Sequence, residues 1–200
     1  MTRSEPTTRQ QIIDSAIELF MQQGVAKTSL NDIVRASGIS KGGMYHHFDN
    51  RDALLVGVCD SFFSGYMEPL QDCLQQPESA EWRLRKLVAL QVEGALEAMP
   101  LMQLFMDFYI NAWQVEPLRD VFRQQYLALH QLLAGLIQQG MDDGCFLPDC
   151  QPQVIAAAII ALFDGVAMAT GVGGDLVDYQ QTVDTAAQLI IDGICVPGHG

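Results

Sequence analysis

The stretch from Thr28 to Phe48, TSLNDIVRASGISKGGMYHHF, constrains the chain more than any other. It reads as two short helices around a tight turn. Ser29 is placed to cap the first, with Asp32 three residues on as its capping-box partner. Leu30, Ile33 and Val34 then recur at i, i+3 and i+4, which makes one buried helical face. Gly38 stops this helix, because glycine takes the left-handed conformation at no steric cost. Ile39 plugs the turn, and Ser40 caps a second helix whose outward residues are Lys41, Gly42, Gly43, Met44, Tyr45 and His46. So short and glycine-rich a helix cannot stand alone in water. Its neighbours must hold it, and a short helix presented outward on a scaffold is the geometry by which a helix-turn-helix reads DNA.

The rest of the chain shows helical periodicity and no strand-like alternation, internal repeat or low-complexity run, so the expected fold class is all-α with about nine helices. A first helix begins near Thr7 or Thr8, with Gln11 completing its cap, and buries Ile12, Ile13, Ala16, Ile17, Leu19 and Phe20. Met1 to Pro6 reads as a loose arm, in which Arg3 is either a groove contact or surface charge; Arg9 just beyond it reads the same two ways. Asn50 caps a fourth helix reaching to about Gln76, with Pro69 a kink or break. Ser79 caps a fifth, ended by Pro100. A sixth runs from Leu101 to Trp113, and Pro117 opens a long seventh that ends around Gly140 to Gly144. Helix eight covers Gln153 to about Thr170 and helix nine about Tyr179 to Ile194, with GVGGD as a flexible connector. The expected division is a DNA-binding domain over 1–50 and an effector-binding and dimerisation domain over 51–200.

A net charge of −13 looks wrong for a DNA binder until it is divided. Residues 1–50 carry five basic and five acidic side chains, whereas 51–200 carry six basic and 19 acidic. The acid sits away from the motif and confines DNA approach to one end.

SKGGMYHHF followed by DNRDALL resembles the DNA-binding signature of the tetracycline-repressor (TetR) family of transcriptional regulators. That pattern is a Ser-Lys-Gly start to the recognition helix, a Tyr-x-x-Phe end, and an Asn/Lys-rich start to helix four. Here Arg51 stands where lysine is more usual, and Val34 where alanine is. The motif covers roughly residues 8–55; beyond it the likeness is architectural. The resemblance implies that Thr28, Tyr45, His46 and Arg51 bind phosphates, while Lys41, Gly42 and Met44 sit nearest the bases. The residue types agree: Lys41 and Tyr45 suit phosphate or base edges, and Met44 a thymine methyl. Gly42 and Gly43 would let the backbone approach the groove. The N-termini at Ser29 and Asn50 would offer free N–H groups to phosphate. The competing assignment is a helical hairpin with a solvated tip. His47 reads as packing or surface.

Soft and aromatic side chains concentrate in helix six as Leu101, Met102, Phe105, Met106, Phe108, Tyr109 and Trp113, joined by Phe63, Tyr66 and Met67 of helix four. They form either ordinary core or a pocket for a small apolar or aromatic effector. Asp107, Glu93 and Glu97 are either solvated acids or partners for a cationic ligand. Helix eight is rich in alanine, and with helix nine shows more apolar surface than one chain can hide. The family places a four-helix dimer interface there, which assigns Ala158, Ala161, Leu162, Gly165, Ala186, Leu189 and Ile190 to a homodimer. An internal core pair is the alternative.

Enzyme signatures are absent: the histidines at 46, 47, 130 and 199 form no HExxH, and there is no GxSxG, P-loop or dinucleotide fingerprint. Cysteines 59, 73, 145, 150 and 195 include no CxxC pair and read as buried free thiols, with Cys145 and Cys150 open to a redox role. No cofactor and no metal are expected. Asp164 interrupts the richest apolar stretch, Val154 to Val172, which argues against a membrane span. The sequence thus implies a cytoplasmic, dimeric DNA-binding regulator, most simply a repressor of a palindromic double-stranded operator, released by a small-molecule effector. The rival is a helical small-molecule-binding enzyme whose helix-turn-helix is incidental.

Overall fold

The computed structural model describes residues 7–97 and 101–197, with side chains omitted at 65, 66, 102, 103 and 175. The arm containing Arg3 and the break at Pro100 lie outside the described residues. Among those residues there are nine α-helices and no strand. In order they are α1 (Thr8–Gln23), α2 (Leu30–Ser37), α3 (Lys41–His47), α4 (Arg51–Leu74), α5 (Ala80–Glu97), α6 (Met102–Ala112), α7 (Glu116–Asp142), α8 (Pro152–Gly173) and α9 (Tyr179–Ile194).

Capping side chains set most of the starts. Thr7 caps α1 by accepting from the Gln10 N–H, and Gln11, expected to complete the cap, gives its backbone N–H to the Thr7 carbonyl. Asn50, Ser79 and Asp178 accept from the N–H of Ala53, Trp82 and Gln181 at the starts of α4, α5 and α9. Pro69 neither breaks nor ends α4, which runs on as a helix to Leu74. The GVGGD connector is largely ordered: α8 continues through Gly173, and Gly174–Leu176 form a single 3-10 turn. Only Gly174, at φ 55°, takes up the glycine-specific freedom there.

Two compact units result. The first joins residues 1–65 to 100–124, and the second joins 66–99 to 125–200. In the first, Ile12, Ile13, Ala16 and Phe20 of α1 pack with Ile33, Met44, Leu54, Leu55, Leu104, Phe108 and Leu118. Phe20 and Phe108 meet edge to face at 6.0 Å. In the second, Leu84, Leu87, Val88 and Val92 of α5 share a core with Leu133, Leu136, Ile137, Ile159, Phe163, Val183, Ala187 and Ile191. Arg85 ties α5 to α9 there: it bonds Glu81 one turn back at 2.9 Å and Asp192 across at 2.6 Å. Cys59, Cys73 and Cys145 are buried free thiols, and Cys150 and Cys195 are half-buried. Burial pushes the Cys59 thiol up to about 12.

Candidate nucleic-acid interface

The helix-turn-helix builds as its residues dictate. Ser29 Oγ accepts from the Asp32 N–H, and the Asp32 carboxylate accepts from the Ser29 N–H, a complete capping box. These bonds from Ser29, the side chain's first, hold the Asp32 carboxyl below its ordinary range. Gly38 ends α2 at φ 69°, ψ 5°. Ser40 Oγ then accepts from the Gly43 N–H at 3.1 Å and starts the seven-residue α3.

Of the residues assigned to DNA, Ser29, Lys41, Gly42, Tyr45 and His46 are exposed, Tyr45 by 49 %. Four others do something different. Met44 is 0 % exposed and lies in the first unit's core, so the thymine-methyl role is corrected: this side chain holds α3 down rather than reading a base. Gly43 is small for an internal reason, since a Cβ there would stand 2.8 Å from Ile39 Cγ2. Of the two glycines in α3, Gly42 is the exposed one, and a Cβ there would meet nothing nearer than Ser40 Oγ at 4.0 Å, which leaves room for close backbone approach. Thr28 is buried; its hydroxyl donates to the Gly24 carbonyl at 2.9 Å and accepts from Gln23 Nε2 at 3.2 Å. Arg51 is half-buried and donates through Nη2 to the Val25 carbonyl at 2.7 Å. His47 is half-buried and touches His46 edge to face.

The sequence reading missed two supports of α3. Phe48, which ends it, is buried with the Arg9 guanidinium 5.3 Å over its ring. Gly57 of α4 leaves the room that this ring occupies. A bare glycine inside a helix, two turns after the motif, was the available signal.

The aromatic stripe divides. Phe63 and Phe105 meet within the first unit at 6.1 Å, and both reach Phe122, which the sequence reading did not single out. Met106 is half-buried. Tyr109 stands at the surface, and Trp113 is 74 % exposed at the end of α6, so neither lines an enclosed pocket. Met67 packs against the second unit's core. The side chains of Tyr66 and Met102 lie outside the described set. A different cavity of about 10 Å³, close to one water in volume, lies wholly in the second unit. Leu70, Leu87, Val88, Leu129, Leu133, Ile159 and Phe163 line it with one polar side chain, Gln91.

Helices α8 and α9 both leave apolar stripes open. Val154, Ala158, Ala161, Gly165, Met168 and Val172 are all exposed and recur every three or four residues along α8. Along α9, Leu189 is 70 % exposed and Ala186 and Ile190 are half-buried; Leu162 on α8 is half-buried too. An 18-residue window of α8 has a mean hydropathy of 2.0, apolar enough to cross a membrane by composition, and only 28 % of it is buried within the chain. Asp164 lies midway along this helix with its side chain exposed, and partial desolvation by its apolar neighbours raises its carboxyl.

Comparison with known proteins matches this arrangement along nearly its whole length. Residues 12–58 fit the family model for bacterial regulatory proteins of the tetR family, and residues 80–194 the model for the C-terminal part of BetI-type transcriptional repressors. The HTH-type transcriptional regulator BetI of Brucella suis (strain ATCC 23445 / NCTC 10510) is 22 % identical over 196 residues, covering 98 % of this chain and 94 % of the relative. The HTH-type transcriptional repressor KstR2 of Rhodococcus jostii (strain RHA1) is 27 % identical, covering 98 % and 95 %. Among solved structures, a TetR transcription regulator from Haloarcula marismortui ATCC 43049 superposes with a TM-score of 0.85 at 20 % identity, covering 94 % of this chain and 98 % of that one. A transcriptional regulator from Saccharomonospora viridis in complex with choline gives 0.80 at 20 % identity, covering 94 % and 97 %. The chain belongs to the TetR family of DNA-binding transcriptional regulators.

Proposed function

We propose that the chain is a cytoplasmic, homodimeric repressor that binds a palindromic operator and lets go when a small apolar effector enters its second unit. Residues 1–50 serve DNA, and 51–200 the effector and the dimer. The exposed set on α3 carries the reading: Lys41, Gly42, Tyr45 and His46 present charge, open backbone and hydrogen-bonding groups beside the electrically balanced end of an acidic chain. Ser29 adds an exposed hydroxyl at the start of α2.

The apolar stripes on α8 and α9 support a second copy as the cover. Exposed positions every three or four residues are what two helices need to interlock with two others. The effector site is the cavity of the second unit lined by α4, α5, α7 and α8, which must widen to admit more than a water. The choline held by the Saccharomonospora viridis protein suggests a cationic effector as a second reading. Against it, this lining has one aromatic ring and no acid, whereas a quaternary ammonium calls for several aromatic faces.

The test is selection of bound duplexes from a random pool, followed by melts of the protein against a compound panel. A repressor enriches a palindrome, and an effector raises the melting temperature because it binds only the native state. Enrichment of no sequence would reject the reading.

A further inference from the structure

The peptide at Val25, between α1 and α2, is gripped from both sides by charged groups remote in sequence. Its carbonyl accepts from Arg51 Nη2 at 2.7 Å, and its N–H donates to Asp107 Oδ2 at 3.4 Å. Arg51 opens α4 and Asp107 lies on α6, and all three residues belong to the first unit. Val25 itself is fully buried. The same carbonyl takes the Thr28 N–H at 3.3 Å, so the grip falls on the turn that hands the chain to the Ser29 cap of α2.

A cation at the oxygen and an anion at the nitrogen both favour one orientation of a peptide dipole. A bond from a guanidinium is roughly twice as strong as a neutral one. We infer that Arg51 and Asp107 are positioning residues for DNA binding, which fix the Val25 peptide and thereby the seating of α2 and α3, and that Arg51 acts through this peptide and not on a phosphate. The inference rests on the DNA-binding reading above and adds the means by which α6, outside the motif, sets the motif's geometry.

Salt dependence separates positioning from contact. Each phosphate neutralised contributes about 0.9 to the slope of log affinity against log salt, and a residue that only positions contributes nothing. The probe is the duplex that the wild-type protein selects from a random pool. With it, Lys41→Ala should flatten the slope by about 0.9 per protomer. Arg51→Ala and Asp107→Leu should weaken binding about tenfold or more at every salt concentration, with the wild-type slope. Asp107→Asn keeps an oxygen for the Val25 N–H and should recover most of the affinity. If Arg51→Ala does not fold, Arg51→Gln removes the charge and keeps an N–H donor, and it too should show the wild-type slope. An Arg51 variant as flat as Lys41→Ala, or Asp107→Leu binding like the wild type, overturns the inference. Failure of the wild type to select any duplex overturns the DNA-binding reading itself.

Discussion

A Cβ at Gly57 would stand 2.6 Å from Phe48 Cε1 and 3.1 Å from Arg9 Nη2. Phe48 is buried, so its ring cannot swing aside, and overpacking of this kind costs about 1–3 kcal/mol. The gain in helix propensity from glycine to alanine, about 1 kcal/mol, does not fully offset it. Gly57→Ala should therefore lower the melting temperature and weaken operator binding together, because Phe48 ends the recognition helix; thermal melts and a gel shift check both. A second residue-scale prediction concerns alkali. Burial holds the Cys59 thiol near 12, and burial followed by the Asp164 charge holds the Tyr179 phenol near 12, against ordinary values of 9.0 and 10.0. Both are raised, so the folded chain grips these protons more tightly than the unfolded one. The stability they contribute is complete below pH 9.0 and is lost as pH climbs towards 12. Melting temperature should fall steadily above that point, and Cys59→Val should fall less steeply. The motif's residues were legible as types and only partly as directions. Met44 and Gly43 fit a groove-facing list by spacing, yet a seven-residue helix must turn some of its residues inward, and nothing local says which.

At the scale of elements, α3 is a clear case of a helix that exists by support. Ser40 caps it, Met44 anchors it, and its exposed side chains contribute nothing to the core. Replacing both Lys41 and Tyr45 by alanine should abolish operator binding in a gel shift while the melting temperature moves by less than about 0.5 kcal/mol in stability terms, as surface changes do. An unchanged shift would remove α3 from the interface. Capping residues and Gly38 spelled out the limits of α2 and α3 because their chemistry is local. Helix α6 was harder. Its polar residues Gln103, Asp107 and Asn111 recur every four, and apolar residues fill the rest of the circumference, which leaves a wide arc from which to choose the packed face. The packed side is Leu104, Phe108 and Ala112, four residues apart, while Tyr109, Ile110 and Trp113 are left outside. The stripe chosen from sequence followed aromatic content and so took part of the wrong face. The GVGGD segment misled for the opposite reason: glycines that favour loops are carried here by the helix that precedes them.

For the whole molecule, the uneven charge was visible in the sequence, whereas the grouping of residues 100–124 with the N-terminal helices was not, since no local pattern announces a partner so distant along the chain. The dimer is the prediction that belongs to this scale. One recognition helix covers too few base pairs for specificity, and two must fall about one helical turn, roughly 34 Å, apart. That demands a fixed pairing of protomers, hence a specific interface of at least about 1,200 Å² in total. The stripe from Val154 to Val172 on α8, with Leu189 on α9, is apolar and open along its length. A charge at Ala161 or Leu189 is harmless on an isolated chain, because both positions face solvent, and costly at a buried interface with no partner for it. Ala161→Glu and Leu189→Asp should therefore convert a dimer to a folded monomer by light scattering, keep the helical signal, and lose the selected operator while retaining weak, salt-sensitive attraction to any duplex. Dimers unchanged by both substitutions would place the contact elsewhere on the molecule. A wild type that is monomeric at micromolar concentration would leave the two recognition helices with nothing to hold them in register.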